Sequence, residues 1–284
     1  MIRLSAFADE ISADLDEQIR VLNQENIHFL ELRGAWNINV LDLTDQQVQR
    51  IQQSLSDQHI SVSAIASPIG KLPINSSFAH HLERFARAIE LAHRFQTHFV
   101  RIFSFYPPTN VENKAERAGV IAPSQWRDEV ISRLVELTAR ARAANITLLH
   151  ENEKDIYGDT IARCVDLLQN INDVHFQAIL DPANFIQCGQ VPYPDGYQVL
   201  QPWLRYTHVK DARLDGSVVA AGEGVARWPD LLQQLHKDGY DGFFSLEPHL
   251  AAAGQFQGFS GPALFRHASQ SFQQMLKQMG WDYY

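Results

Sequence analysis

Short β-type runs alternate with amphipathic helical stretches throughout this 284-residue chain, which predicts an α/β fold of the (β/α)8 TIM barrel kind. Three observations carry that expectation. Eight β-type runs recur at the spacing of whole βα units. No glycine-rich dinucleotide fingerprint follows any of them, which argues against an open doubly wound sheet. No low-complexity linker divides the chain, so residues 1–284 read as one domain.

The first run, 2–7, precedes a helix opened by the N-cap pair Asp14 and Glu17, with Ile19 and Leu22 on its apolar face. The second, 28–32, leads to a capping box of Thr44 and Gln47 and a helix carrying Val48, Ile51 and Leu55. After 60–65, Phe78, Leu82, Phe85, Ile89 and Ala92 form one apolar stripe. After 99–105, Trp126, Val130, Leu134, Leu137 and Ala141 form the next. Behind 146–151, Asp159 or Thr160 caps a helix with Ile161, Val165 and Leu168. The runs 176–181 and 204–209 follow. Pro229 then takes a first-turn position before Leu231, Leu232 and Leu235, and 242–247 completes the set. Connections 106–123 and 248–262 are longer than a short loop requires. Both follow strand C-termini, where barrel active sites are built, so both are candidate lids.

Composition narrows the function classes. The chain is 45% hydrophobic and 20% charged, a balance that argues against disorder. With 24 Lys+Arg against 33 Asp+Glu its formal net charge is −9, which disfavours a phosphate-tracking nucleic-acid binder. No apolar run approaches the length of a bilayer span. Asp9 and Glu10 stand where a secretory signal needs apolar residues, and two cysteines are too few for a disulfide framework. A cytoplasmic protein with a small-molecule substrate, no nucleic-acid partner and no membrane is the expectation, with a homodimer left open by the exposed barrel helices.

The chemistry gathers at the ends of strands five to eight. They read His150-Glu151-Asn152-Glu153, Asp181-Pro182-Ala183-Asn184, His208-Val209-Lys210-Asp211 and Glu247-Pro248-His249. In a parallel barrel these ends lie side by side on the upper rim, and period-two alternation points Glu151, Asp181, His208 and Glu247 into the mouth together. Converging without a cation, such groups repel and desolvate one another, so one divalent ion is expected. Three carboxylates and an imidazole suit Mn²⁺ first, with Mg²⁺, Co²⁺ and Zn²⁺ as alternatives. A single carboxylate at a strand end is more often a cap or a surface charge; three with an imidazole on consecutive strands are not. His150 should face the helix layer as a structural histidine. Glu153 and His249, two residues beyond their ligands, are substrate contacts or solvated loop residues. Asn184 and Lys210 reach the mouth, and Lys210 shares the strand face of His208. Arg33 ends strand two, where it binds a substrate carboxylate or phosphate or makes a rim salt bridge. Phe7, Phe103, Trp36 and Phe105 either wall the mouth or belong to the core.

The pattern resembles the xylose isomerase-like superfamily of barrels, in particular its sugar phosphate isomerase/epimerase group. The matching segments are Leu30-Glu31-Leu32-Arg33-Gly34, Glu151-Asn152-Glu153, Leu180-Asp181-Pro182-Ala183-Asn184, His208-Val209-Lys210-Asp211, Gly222-Glu223-Gly224, and Gly239-Tyr240-Asp241-Gly242 leading into Leu246-Glu247-Pro248-His249. The resemblance implies that Glu151, Asp181, His208 and Glu247 are the metal ligands. Family epimerases commonly carry His three residues after the strand-six Asp, where Asn184 stands here, and an Arg shortly after the strand-seven His, which Arg213 matches in kind.

The function expected is a metal-dependent isomerase or epimerase of a keto-sugar or sugar phosphate. Proton abstraction beside a carbonyl builds negative charge on oxygen, which a chelated cation stabilises. Glu151 and Glu247 approach from different strands and are expected to take and return the proton. A dehydratase of a polyhydroxy ketone, of inosose or dehydroshikimate type, is the alternative. An apurinic endonuclease of this superfamily needs further His ligands from strands two to four, where Arg33, Ser67-Pro68-Ile69 and Ser104-Phe105-Tyr106 stand instead. A barrel that binds a sugar without turnover is disfavoured by the complete ligand set.

Overall fold

The structure, a computed structural model, describes residues 2–109, 122–251 and 260–284. Its eight barrel strands are β1 (Arg3–Ala6), β2 (Phe29–Leu32), β3 (Ser61–Ile65), β4 (Phe99–Ile102), β5 (Thr147–Glu151), β6 (Phe176–Leu180), β7 (Leu204–Val209) and β8 (Phe243–Leu246). They close in the circular order β1-β8-β7-β6-β5-β4-β3-β2, so every strand lies beside its chain neighbours. Closure is parallel, with Leu4 opposite Phe244 and Ser5 opposite Ser245. The predicted (β/α)8 barrel is therefore the observed one.

The helices around it are α1 (Leu15–Gln24), α2 (Asp45–Asp57), α3 (Phe78–Arg94), α4 (Arg127–Ala143), α5 (Ile161–Ile171), the short α6 (Pro182–Gln187) and α7 (Tyr197–Leu200), α8 (Trp228–Lys237) and α9 (Gly261–Gln278). Their starts are set by local chemistry. Asp14 Oδ1 accepts from Glu17 N at 3.0 Å to cap α1. Thr44 and Gln47 complete a reciprocal box at α2, and Thr160 caps α5. The apolar faces of these helices bury Val48, Ile51, Phe85, Leu134, Leu168 and Leu235 in one core between strands and helices. No helix among the described residues is long and apolar enough to cross a membrane.

The fourth run departs from the expected 99–105. Its strand ends at Ile102, because Phe103 N and Phe105 N donate to Ile69 O (2.8 Å) and Gly70 O (2.9 Å) in the loop after β3. Phe105 turns away with φ +67°. The proposed lids are centred on 110–121 and 252–259, which lie outside the described residues.

Inside the barrel, alternation separates two chemistries. The lower interior is apolar: Phe29 and Tyr206 pack on Phe243 with ring centroids 5.1 and 5.3 Å away. Two residues further along the same strands the inward positions turn polar. Phe29 gives way to Glu31, Phe99 to Arg101, Leu149 to Glu151, Ile179 to Asp181 and Tyr206 to His208. The register that builds the core thus delivers a set of charged groups to the mouth.

Candidate metal centre

Glu151, Asp181, His208 and Glu247 each offer one ligand atom, and these atoms lie within 4.8 Å of one another. All four side chains are buried. Asp181 divides its carboxylate. Oδ1 caps α6 by accepting from Asn184 N (2.9 Å), and this cap leaves Oδ2 facing the cluster. Asn152 ties β5 to β6, its Nδ2 donating to Asp181 O and its Oδ1 accepting from Asp181 N, both at 2.9 Å. Asn184 Nδ2 donates to Asn152 O (2.9 Å) and reaches Glu151 Oε1 (3.3 Å).

The imidazole of His208 turns Nδ1 toward the carboxylates, 3.2 Å from Glu151, 3.6 Å from Glu247 and 3.9 Å from Asp181. Nε2 points the other way, 3.3 Å from Glu31 Oε2. Phe7 meets the ring edge-on at a centroid distance of 5.1 Å. Burial opposes a charge on this ring, but Glu151 and Glu31 outweigh burial and push His208 up to about 10 in the metal-free cluster.

Three buried or half-buried cations complete the site. Arg101 Nη1 lies 3.0 Å from Glu151 Oε2 and 3.8 Å from Glu247 Oε1. Lys210 Nζ lies 2.8 Å from Asp181 Oδ2 and 3.2 Å from Glu247 Oε2. Arg33 reaches Asp9 and Glu10 at 2.7 Å each and Glu247 at 2.9 Å. Against the desolvation of burial, Lys210, His249, His208 and Arg33 hold the Glu247 carboxyl well below its ordinary range. His208 and Arg101 likewise pull Glu151 down to about 2. Asp181 moves the other way, to about 6, because burial with Glu151 and Glu247 nearby outweighs Lys210.

The donor set fits a divalent cation. Asp181 Oδ2 and His208 Nδ1 are buried yet have no aligned hydrogen bond among the described residues. Three carboxylates and one imidazole without thiolate suit a hard or borderline ion.

The remaining expected residues divide. Asn184 and Lys210 are buried at the cluster, and His150 faces outward to Ser104 Oγ (3.0 Å) as a structural histidine. His249 sits behind the site with Nε2 3.0 Å from Glu10 Oε1, and Glu153 pairs with Lys71 at 2.8 Å. Arg33 is seated differently from the substrate-anion role: three of the protein's own carboxylates engage it. Arg213 is exposed in the hairpin of Asp211–Ala212 with Val218–Val219. Phe7 and Phe103 flank the Arg101 guanidinium at 5.1 and 4.9 Å, whereas Phe105 packs on His81 and the half-buried Trp36 lies under Arg50. Arg101 and Glu31 escaped sequence reasoning. Both carry a signal in phase, since each shares strand parity with an inward phenylalanine, and Glu31 also lies in a family-matching segment.

The sequence model of one family, described as xylose isomerase-like TIM barrel, matches residues 19–275. The chain belongs to that family. Among solved structures, family-like barrels superpose over almost the whole chain. A D-tagatose 3-epimerase-like protein is 16% identical with a TM-score of 0.76, covering 98% of each chain. The probable 3-DHS dehydratase AsbF of Bacillus anthracis is 18% identical with a TM-score of 0.72, covering 96% of this chain and 99% of its own. A xylose isomerase-like barrel from Mycobacterium smegmatis, in complex with magnesium, is 17% identical with a TM-score of 0.70, covering 98% and 96%. At such identities the likeness speaks to the fold. Comparison with curated proteins gives no significant match.

Proposed function

We propose that this member of the family is a divalent-metal-dependent isomerase or epimerase of a keto-sugar or sugar phosphate, with Mn²⁺ as the first candidate ion. The observation that carries the reading is the convergence of Glu151, Asp181, His208 and Glu247 at the C-terminal mouth of the barrel. When bound there, the ion supplies Lewis-acid polarisation of the substrate carbonyl. Glu151 and Glu247 come from strands separated by β6 and β7, so they flank a bound substrate and can remove and return a proton on its two sides. Arg101 helps hold Glu151 ionised, and Lys210 and Arg33 do the same for Glu247. Lys210 can donate to oxygen that gains negative charge. Phe7 and Phe103 exclude water from this wall of the site.

The test is a screen of keto-sugars and keto-cyclitols with Mn²⁺, followed by Glu247→Gln and Glu151→Gln on the substrate found. Both variants should keep the wild-type circular dichroism and lose about 10²- to 10⁴-fold in turnover. Near-normal turnover in Glu247→Gln would refute the acid/base role. A dehydratase of a polyhydroxy ketone is the second reading. Asn184 favours it, being unable to relay a proton, as does Lys210, an ammonium that can assist a departing hydroxyl. It predicts a conjugated, ultraviolet-absorbing product where an epimerase gives none.

A further inference from the structure

We infer that Glu31 is a positioning residue of the metal centre: its carboxylate accepts a hydrogen bond from Nε2–H of His208 and thereby commits Nδ1 to the cation. The inference rests on the metal reading above and adds a residue outside the ligand set. Glu31 lies on β2, across the barrel interior from His208 on β7. Its side chain is fully buried, and neither carboxylate oxygen has an aligned hydrogen-bond donor among the described residues. Its ion-pair partner there is Nε2 of His208, at 3.3 Å.

A carboxylate left this way inside a barrel costs several kcal/mol unless something compensates it. The compensation follows from imidazole chemistry. A neutral ring carries one proton, and a ring whose Nδ1 lone pair is given to a cation must hold that proton on Nε2. In this site Nδ1 already faces the three ligand carboxylates, so Nε2–H is directed into the barrel interior, where Glu31 is the anion that meets it. The ring has little freedom to swap nitrogens. Phe7 and Tyr206 stand edge-on to it, at interplanar angles of 83° and 89°. The negative charge behind the ring also makes Nδ1 a better donor, as carboxylates behind metal-bound histidines generally do.

Two measurements test this. The first uses wild-type protein with ¹⁵N-labelled histidine, loaded with diamagnetic Zn²⁺, the His208 signal being assigned from its loss in His208→Asn. The expected spectrum shows His208 protonated on Nε2 and metal-bound through Nδ1; metal on Nε2 would overturn the inference. The second measures Zn²⁺ and Mn²⁺ affinity by chelator competition in wild type, Glu31→Gln and Glu31→Leu, with metal-free thermal unfolding alongside. With the displaced proton accounted for from the pH dependence of each variant, Glu31→Leu should weaken binding about 10- to 100-fold. Glu31→Gln, whose amide oxygen still accepts, should fall between it and wild type. Affinities within twofold of wild type in both variants would overturn the inference while leaving the metal centre standing. If Glu31→Leu fails to fold, Glu31→Gln and the wild-type spectrum decide. Absence of metal uptake by wild type itself would overturn the metal reading and this inference with it.

Discussion

Loading the site with a divalent ion should release close to one proton per chain at neutral pH. His208 is held up to about 10 by Glu151 and Glu31 against the cost of burial, so the metal-free ring is an imidazolium at pH 7. A cation needs the neutral ring. At pH 7, about three pH units lower, only about one site in 10³ has that ring ready, a handicap of about 4 kcal/mol at 1.36 kcal/mol per pH unit. The direction follows directly: affinity rises with pH, about tenfold per unit, as long as pH stays below the His208 value. Asp181 adds a second, smaller proton. Standing at about 6, it is half protonated at pH 6 and mostly ionised at pH 7. Release should therefore climb from about one proton at pH 7.5 toward about 1.5 at pH 6.

Isothermal titration with Mn²⁺ in two buffers of different ionisation heat measures the protons directly, and repeating it between pH 6 and 8 gives the slope of affinity. His208→Asn should lose about one released proton together with most of the affinity. A flat affinity and no proton release in wild type would mean that His208 is not a ligand or that Glu151 and Glu31 do not hold it charged.

Two further outcomes probe the scaffold. His81 Nε2 accepts from Gly70 N at 3.1 Å, and burial with Arg133 nearby pushes the ring down to about 4. The unfolded chain therefore binds its proton more tightly, and stability present above pH 6.5 is lost as pH falls through 4, by up to about 3 kcal/mol. His81→Asn can accept without titrating, so its melting temperature should fall less steeply than wild type over that window; identical slopes would count against this role. Gly224 has no room for a side chain, because a Cβ there would overlap the Asp211 carboxylate and the Ala212 carbonyl. Gly224→Ala should cost about 1–3 kcal/mol and lower the melting temperature by about 2–10 °C. A shift within about a degree would show that the turn yields.

The Gly224 case shows what the sequence could and could not say. Gly222-Glu223-Gly224 was legible as a motif but not as a structure. Its role emerges only when Asp211 is seen accepting from the backbone N–H groups of Ala212, Gly222, Gly224 and Ala226 at 2.8 to 3.1 Å. The barrel and the four-residue cluster at its mouth were legible for a different reason. Period-two runs, caps at Asp14 and Thr44, and polar residues at consecutive strand ends are local signals that a parallel barrel converts directly into position. Arg33 was harder. Its partners Asp9 and Glu10 lie in the turn after β1, so the pairing depends on β1 and β2 being neighbours around the ring. Arg101 is a lone base in an apolar run, and only its parity with Phe99 marks its guanidinium as inward. The strand break at Phe103 came from a competing partner, the loop carbonyls of Ile69 and Gly70.

The fixed cations make three similar carboxylates unequal, and the inequality bears on their roles. Glu247 is approached by Arg33, Arg101 and Lys210, and it is held well below its ordinary range. Glu151 has Arg101 and His208. Asp181 has Lys210 and, at 3.9 Å, His208, and it is the carboxyl that keeps a proton longest. Geometry sorts them the same way. One oxygen of Asp181 is committed to the cap of α6, so the shorter side chain cannot swing toward a substrate without opening a helix. Glu151 and Glu247 carry an extra methylene, hold no helix start and face each other across Arg101. Under the proposed function this inequality divides the labour: Asp181 would anchor the ion, leaving the two glutamates to exchange protons with the substrate.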